Sequence, residues 1–459
     1  MRFTNLTRGL EIGANCYLLE VSGRKIVLDS GMHPKEEGEA ALPMFELLEH
    51  NSVDAVILSH AHQDHVGTLP LLLRNQPKAP VFMTEATRRL SNIMLHNSVN
   101  VMDRQREELG ATQLFRHRDV EITGKMWRAC PLEQPLSIHG ERLRSHDHAD
   151  QGIPSFEFFD AGHILGSVGT LIHAEGKRIF YTGDVNFENQ TISQAAAFPK
   201  EKVDVLIMET TRGDSPTPEG FTRPKEQERL LECLKQAMQR KGCVLIPVFA
   251  LGKTQELLAM LHQMRQSGHL GAIPIYIGGL STKITCVYDE LRSITPRQLP
   301  HLRLMDCPTL QTLSGKDAAK TDIHHHRIYA LSSGMMTENT LSNFFGRRLL
   351  DQPDESIFFV GYADPESPAG RIKASAPGDL VQLDSHFAPL PLRCNAESFN
   401  FSAHSSRERL REYANQVQPK KIILVHGDAP AMTWFKNVLS EDLPGTEIIT
   451  PAPGEPIEL

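Results

Sequence analysis

No stretch of this chain approaches eighteen consecutive apolar residues, so no membrane-spanning helix is expected. No two cysteines are spaced as CxxC. Seven are scattered along the sequence (Cys16, Cys130, Cys233, Cys243, Cys286, Cys307 and Cys394), and the odd, dispersed set argues against a disulfide scaffold or a thiolate zinc site. The opening MRFTNLTRGLEIG has no apolar run of signal-peptide length, so a cytoplasmic protein in a reducing compartment is expected. Positive charge is also scarce. The formal net charge of −8 argues against a broadly basic surface, although a local basic cleft can exist within an acidic total. There is no internal repeat and no low-complexity tract.

The chain has 459 residues, 40% hydrophobic and 23% charged, which suits a soluble globular protein of two to three domains. CYLLEV (Cys16–Val21) and KIVLDSG (Lys25–Gly31), parted by Ser22–Gly23–Arg24, read as a hairpin. VDAVILSH (Val53–His60) reads as a buried strand. VFMTEATRRLSNIMLHN reads as a strand entering a helix, and Val99–Lys125 as partly helical. Strand-like runs return at Ser155–His163, Val168–Asp184 and Val203–Thr211, each ending in a polar or acidic residue.

From about Pro216 the rhythm becomes strand–helix–strand. Helical patterns at Arg223–Gly242 and Gly252–Gly268 alternate with strands at Cys243–Ala250, Ile273–Gly279, Ile328–Gly334 and Ser356–Tyr362, predicting a parallel α/β unit. After about His386 the first style resumes, with a helix at Arg407–Val417 and a strand at Lys421–Asp428. Polar candidates on both sides of the middle unit predict an inserted domain. The expected division is 1–212, 213–385 and 386–459.

SHAHQDH (Ser59–His65) places His60, His62, Asp64 and His65 at the end of the buried strand. Polar loop residues are usually just solvated, but three histidines at this density favour a metal cage. Catalytic zinc takes His nitrogen and carboxylate oxygen and keeps one position open. Two zinc ions about 4 Å apart can clamp the attacking and leaving oxygens of phosphoryl transfer. His60 and His62 project the same way if that segment is extended, while Asp64 and His65 follow a turn and face a second ion. Gly67 is expected to let the chain bend away tightly.

SHAHQDHVG resembles the signature of the metallo-β-lactamase fold. Asp29 in VLDSG, DAGHILGS (Asp160–Ser167) and YTGD (Tyr181–Asp184) follow in family order. METTRG (Met208–Gly213), FSAHSS (Phe401–Ser406) and LVHGD (Leu424–Asp428) are similar to motifs A, B and C of the β-CASP nucleases. KGCVLIPVFALGKTQELL and SSGMM resemble the body of the β-CASP insertion. The resemblance covers nearly the whole chain. It implies an α/β fold: a metallo-β-lactamase αββα sandwich with an inserted α/β β-CASP domain.

Carried over residue by residue, the resemblance implies two Zn2+ ions. One is held by His60, His62 and His163, the other by Asp64, His65 and His426, with Asp184 bridging. Asp29 supports the site by fixing a histidine tautomer or the loop. The implied catalytic set is Asp64, Glu209 and His404, with His404 as general acid and Glu209 orienting or charging it. Ser333, Ser402 and Ser405 are candidate phosphate donors, and Lys253 and Arg371 candidate cations beside the phosphodiester. SHDHAD (Ser145–Asp150) and HHH (His324–His326) read as surface loops outside the ligand pattern.

Some positions depart from the family pattern. Ser405–Ser406 follow motif B, Asp428 stands where motif C often continues with Glu, and GGLSTKIT (Gly278–Thr285) replaces an acidic-Ser-Pro turn. In this family a histidine at motif C goes with RNA-acting members, so His426 implies single-stranded RNA as partner. The chain starts almost directly at the fold and ends soon after motif C, so the short stand-alone bacterial type is expected, similar to the mRNA 3′-end processing endonuclease and ribonuclease J. The implied action is mainly endonucleolytic, with 5′-to-3′ exonuclease action as a second mode, leaving 5′-phosphate and 3′-hydroxyl ends. Relatives are commonly dimeric, so a homodimer is the expected oligomer. The alternatives are a phosphodiesterase for single-stranded DNA or small nucleotides, an inactive RNA-processing scaffold, and a small-ester or lactam hydrolase.

Overall fold

The computed structural model describes residues 1–144, 152–313, 321, 323 and 325–459. SHDHAD and His324 lie outside these residues. The chain divides into two compact units. The first comprises Met1–Asn189, Gln194–Thr217 and His404–Leu459, and the second Gln190–Ser193 and Pro218–Ala403.

The first unit is built on two seven-stranded sheets. One runs in the order Pro456–Glu458, Arg2–Asn5, Tyr17–Val21, Arg24–Leu28, Ala55–Ile57, Val81–Met83, Trp127–Ala129. The other runs Glu447–Ile449, Lys421–Val425, Val205–Glu209, Lys177–Tyr181, Val168–Ala174, Ser155–Asp160, Leu136–Ser137. Each sheet is antiparallel on one side and parallel on the other. The antiparallel sides pair strands consecutive in sequence, except that Pro456–Glu458 pairs with Arg2–Asn5. Ser22 (φ 51°) and Gly23 (φ 69°) make the two-residue turn between Tyr17–Val21 and Arg24–Leu28, as the sequence predicts.

Side-chain alternation sets the layers. Ala55 and Ile57 point into the core between the sheets, with Leu28, Phe82, Phe156, Phe158, Ile207 and Val425. Val56 and Leu58 point the other way, toward Leu69, Leu72, Leu95, Val99 and Val120 on the helices Leu69–Asn75, Glu85–Leu109 and His117–Gly124. On the second sheet Leu206, Met208, Ile422 and Leu424 meet Leu410, Ala414, Phe435 and Leu439 of Arg407–Val417 and Ala429–Asp442. The result is the αββα sandwich. Each fully buried Leu, Ile or Phe contributes roughly 1.5–3 kcal/mol. Replacing Ile57 by Asp would place an unpaired charge between the sheets and unfold the unit.

The second unit carries a parallel six-stranded sheet ordered Leu310–Leu313, Ile275–Gly278, Ile328–Leu331, Val244–Pro247, Ser356–Phe359, Asn395–Ser398. Helices including Arg223–Gln239, Lys253–Gln266 and Leu341–Leu349 accompany it. Buried Glu256 ties the short segment Gln190–Ser193 into this unit. It accepts hydrogen bonds from Thr191 N (2.6 Å) and Ile192 N (2.9 Å) and pairs with Arg223 Nη2 at 2.5 Å.

Candidate metal centre

The chemistry gathers where strands of both sheets end. Asp29 follows Arg24–Leu28, and Ser59 and His60 follow Ala55–Ile57. Asp184 follows Lys177–Tyr181, Glu209 closes Val205–Glu209, and His426 follows Lys421–Val425. The HAHQDH segment is extended to His62, which precedes a short helix, Gln63–Val66. This turn carries Asp64 and His65. Gly31 lets the turn approach, because a Cβ there would lie 1.7 Å from Asp64 O. Gly67 works differently from expectation. Its φ of −61° is ordinary helical backbone, and its value is room, since a Cβ would lie 2.5 Å from Gln63 O and 2.6 Å from Met32 Cβ.

Two donor sets result. In the first, His62 Nδ1 lies 3.1 Å from His60 Nε2 and 3.1 Å from His163 Nε2. Asp184 Oδ2 is 3.5 Å from His60 Nε2 and 3.6 Å from His163 Nε2. In the second, His65 Nε2 lies 3.3 Å from His426 Nε2 and 3.6 Å from Asp64 Oδ2, and His426 Nε2 is 3.2 Å from Asp64 Oδ2. Asp184 Oδ1 is 3.3 Å from His65 Nε2. A tetrahedron with ligands about 2.0–2.1 Å from its centre has edges of about 3.3 Å; the distances within His60, His62, His163 and Asp184 and within Asp64, His65 and His426 lie near that, and Asp184 Oδ1 approaches the second group at His65. Asp184 Oδ1 is buried without a hydrogen bond, an expensive state that a cation would relieve. The donors therefore fit a pair of metal ions sharing Asp184. All seven sequence-predicted ligands are brought together, His60, His62, His163 and Asp184 in one cluster and Asp64, His65 and His426 in another.

The outer contacts orient the rings. Buried Asp29 accepts from Ser59 N (2.7 Å), Ser59 Oγ (2.7 Å), Tyr181 Oη (2.6 Å) and His65 Nδ1 (2.8 Å). With Nδ1–H so held, His65 turns the Nε2 lone pair inward. His60 Nδ1 lies 3.0 Å from Ser59 Oγ, which already donates to Asp29 and so accepts here, freeing Nε2 in the same way. Thr211 Oγ1 is 2.8 Å from His426 Nδ1. Asp29 and His426 both sit at positive φ, 60° and 51°, a costly backbone held by these contacts. Burial, and then the neighbouring His65, pushes His60 well below the usual imidazole range, keeping it the neutral ligand a metal requires. Burial opposes ionisation of Asp184, but His426, His65 and His60 outweigh it and hold the carboxyl well below its ordinary value.

Beside this set, His404 Nδ1 lies 3.2 and 3.1 Å from the two oxygens of Glu209, while its Nε2 is 3.9 Å from Asp184 Oδ2. Glu209 Oε1 also accepts from Val185 N at 2.8 Å. Burial lowers the His404 pKa, but Glu209 and then Asp184 outweigh it, and the imidazole is held above its usual range.

The other candidates have local partners. Ser405 N donates to Val185 O at 2.7 Å, and its hydroxyl accepts from Phe187 N at 3.4 Å. Ser333 Oγ accepts from Thr337 N at 3.1 Å. Lys253 Nζ donates to Phe401 O, and Arg371 Nη1 to Gln382 O at 3.1 Å. Ser402 stands half-buried in the second unit. Ser59, Tyr181 and Thr211 were not anticipated. Ser59 and Tyr181 lie inside quoted motifs, and for Ser59 the adjacent His60 was the available signal. Thr211 lies inside METTRG, but nothing in that motif points to its contact with His426.

Residues 10–235 match the metallo-beta-lactamase superfamily, 254–372 the Beta-Casp domain, and 389–451 the Zn-dependent metallo-hydrolase RNA specificity domain. The chain belongs to the metallo-β-lactamase superfamily, in its β-CASP branch. It is 31% identical over 444 residues to Cleavage and polyadenylation specificity factor 73 of Drosophila melanogaster, covering 95% of this chain and 61% of the fly protein. It is 28% identical to Endoribonuclease ysh1 of Schizosaccharomyces pombe, over 96% of this chain and 56% of that protein. It is also 28% identical to Cleavage and polyadenylation specificity factor subunit 3-I of Arabidopsis thaliana, over 99% of this chain and 63% of that one. The chain thus spans about three-fifths of the length of these relatives. All three are eukaryotic and longer, so they lend no support to the short stand-alone bacterial type that was expected. A solved protein of unknown function from Enterococcus faecalis V583 shares the fold with a TM-score of 0.59 at 14% identity, covering 100% of this chain and 99% of that one.

Proposed function

We propose that this β-CASP protein is a zinc-dependent ribonuclease that hydrolyses RNA phosphodiester bonds. One observation carries the reading: two His and carboxylate donor sets approach Asp184, and the His404–Glu209 pair stands beside that same carboxylate. His60, His62, His163 and Asp184 would hold one zinc, and Asp64, His65, His426 and Asp184 the other. When bound, such a pair lowers the pKa of water and offsets phosphate charge.

The chain's own groups handle orientation and the proton. Asp29, Ser59 and Thr211 keep the ligand rings in their inward-facing tautomers. Glu209 fixes His404 through Nδ1 and sustains its charge, leaving Nε2–H to protonate the departing 3′ oxygen. The products are a 5′-phosphate and a 3′-hydroxyl. RNA is favoured over DNA by the match of residues 389–451 to an RNA specificity domain and by His426 at motif C.

The test is incubation of purified, zinc-loaded protein with 5′-labelled RNA bearing a triphosphate, monophosphate or hydroxyl end, beside a matched DNA. Internal cuts regardless of end group support an endonuclease, and stepwise loss from a 5′-monophosphate supports exonuclease action. Cleavage of DNA alone would overturn the RNA assignment. Bound zinc without hydrolysis of either polymer would favour the scaffold.

A further inference from the structure

Arg212 stands three residues beyond Glu209 on a tightly anchored turn. Gly213 N closes it onto Thr210 O at 2.9 Å, and Thr210 N bonds His426 O at 3.1 Å. Thr210 Oγ1 bonds Val425 O at 3.0 Å, and Arg407 Nη1 bonds Gly213 O at 3.2 Å. A Cβ on Gly213 would lie 2.4 Å from Ala431 O, so this side of the turn is packed tight. The backbone of Arg212 is therefore fixed between residues that hold a predicted metal ligand and the orienting Glu209.

Its side chain is not fixed in the same way. The residue is half-buried, yet its guanidinium makes no hydrogen bond and no ion pair within 4 Å with any described residue. Burial lowers its pKa, and the charges of Glu408, Glu188 and Glu209 pull it back up. Those carboxylates are engaged elsewhere. Glu408 takes Thr217 Oγ1 (2.8 Å) and Arg407 Nε (3.2 Å), Glu209 takes His404 (3.1 Å), and Glu188 faces Arg409 Nε at 4.0 Å. Arg407, on the next element, shows the contrast: it has Glu408, Gly213 O and the Trp434 ring at 4.3 Å. A partly desolvated guanidinium has five N–H donors to satisfy, and its planar fork matches two oxygens of a phosphate.

We infer that Arg212 binds the non-bridging oxygens of an RNA backbone phosphate next to the one that is cleaved. This rests on the ribonuclease reading and adds a substrate contact on the turn that also carries Glu209. Arg212 touches substrate but takes no part in proton transfer. Its loss should raise KM and leave kcat nearly unchanged.

The test uses the full chain carrying His404→Ala, so that RNA is bound and not cut, with and without Arg212→Ala or Arg212→Lys. Arg212→Ala should weaken binding of a short single-stranded RNA about tenfold. The slope of log affinity against log salt should shrink by about 0.7. In a series of RNAs each carrying one neutral methylphosphonate, one position should lose its penalty in Arg212→Ala and keep part of it in Arg212→Lys. Melting temperatures check that each variant folds, and the lysine variant keeps the test valid if the alanine one does not. An unchanged salt slope with every methylphosphonate penalty retained would overturn the inference. So would a shifted pH–rate profile at constant KM in the cutting-competent Arg212→Ala, which would mean that Arg212 acts on the charge of Glu209. If the parent protein cuts RNA and these results appear, only the Arg212 contact falls. If the parent neither binds nor cuts RNA, the ribonuclease reading falls first.

Discussion

His404 turns Nδ1 toward both oxygens of Glu209, at 3.2 and 3.1 Å, and leaves Nε2 on the Asp184 side at 3.9 Å. The pair thus stands beside the seven candidate ligands, within reach of Asp184 and His426. His404→Ala should retain its zinc and lose roughly 10²–10⁴-fold in single-turnover cleavage. Glu209→Gln should lose less, because the imidazole remains. Elemental analysis and cleavage rates on the same preparations check both, and an unchanged rate in His404→Ala would remove the acid role.

Asp184 offers Oδ2 to one donor set and Oδ1 to the other. Asp184→Ala should therefore lower zinc content at both positions, whereas His62→Ala should affect one. Dialysis of the parent protein against a chelator should abolish cleavage, and added zinc should restore it. Equal zinc loss in the two variants would contradict the shared role of Asp184.

Asp29 collects four donors with no exposure to solvent. Asp29→Ala strands those donors, and a loss of at least about 3 kcal/mol is expected in urea denaturation. Tyr181→Phe and Thr211→Val remove one hydroxyl each. They should weaken zinc affinity by about 10–100-fold with little change in fold, which competition against a chromophoric chelator measures.

Lys253 gives a pH signature. Burial, then the charge of Arg223, pushes its ammonium down to about 7. In the unfolded chain a lysine titrates near about 10.4. Between those values the unfolded state holds more protons, so this group makes stability rise with pH; below about 7 its contribution is constant. Lys253→Met should flatten that rise, seen as a Tm difference from the parent that narrows from pH 7 to pH 10. A constant difference would show that the lysine titrates alike in both states.

The fold was legible where the chain makes its own local pattern. The hairpin at Ser22–Gly23 and the strand–helix rhythm after Pro216 follow from turn residues and apolar period. The candidate donors were named through motif resemblance, since His65 and His426 are 361 residues apart and no local rule relates them. What escaped was interaction between side chains. Tyr181 looks like any buried strand tyrosine, Thr211 like any turn threonine, and Gly67 like a bend. Only the packed sheets show the first two reaching Asp29 and His426, and the third making room for Met32. Arg212 lies inside METTRG, but its role was not legible there, because the lack of a partner is a property of the folded surroundings.

The strand Lys421–Val425 lies inside its sheet, between Glu447–Ile449 and Val205–Glu209, and delivers His426. At roughly 5–20 residues per second, the ribosome needs about 20–70 s to travel the 361 residues from His65 to His426. Throughout that interval the second donor set is incomplete. A nascent chain therefore lacks the second donor set until the ribosome has passed His426.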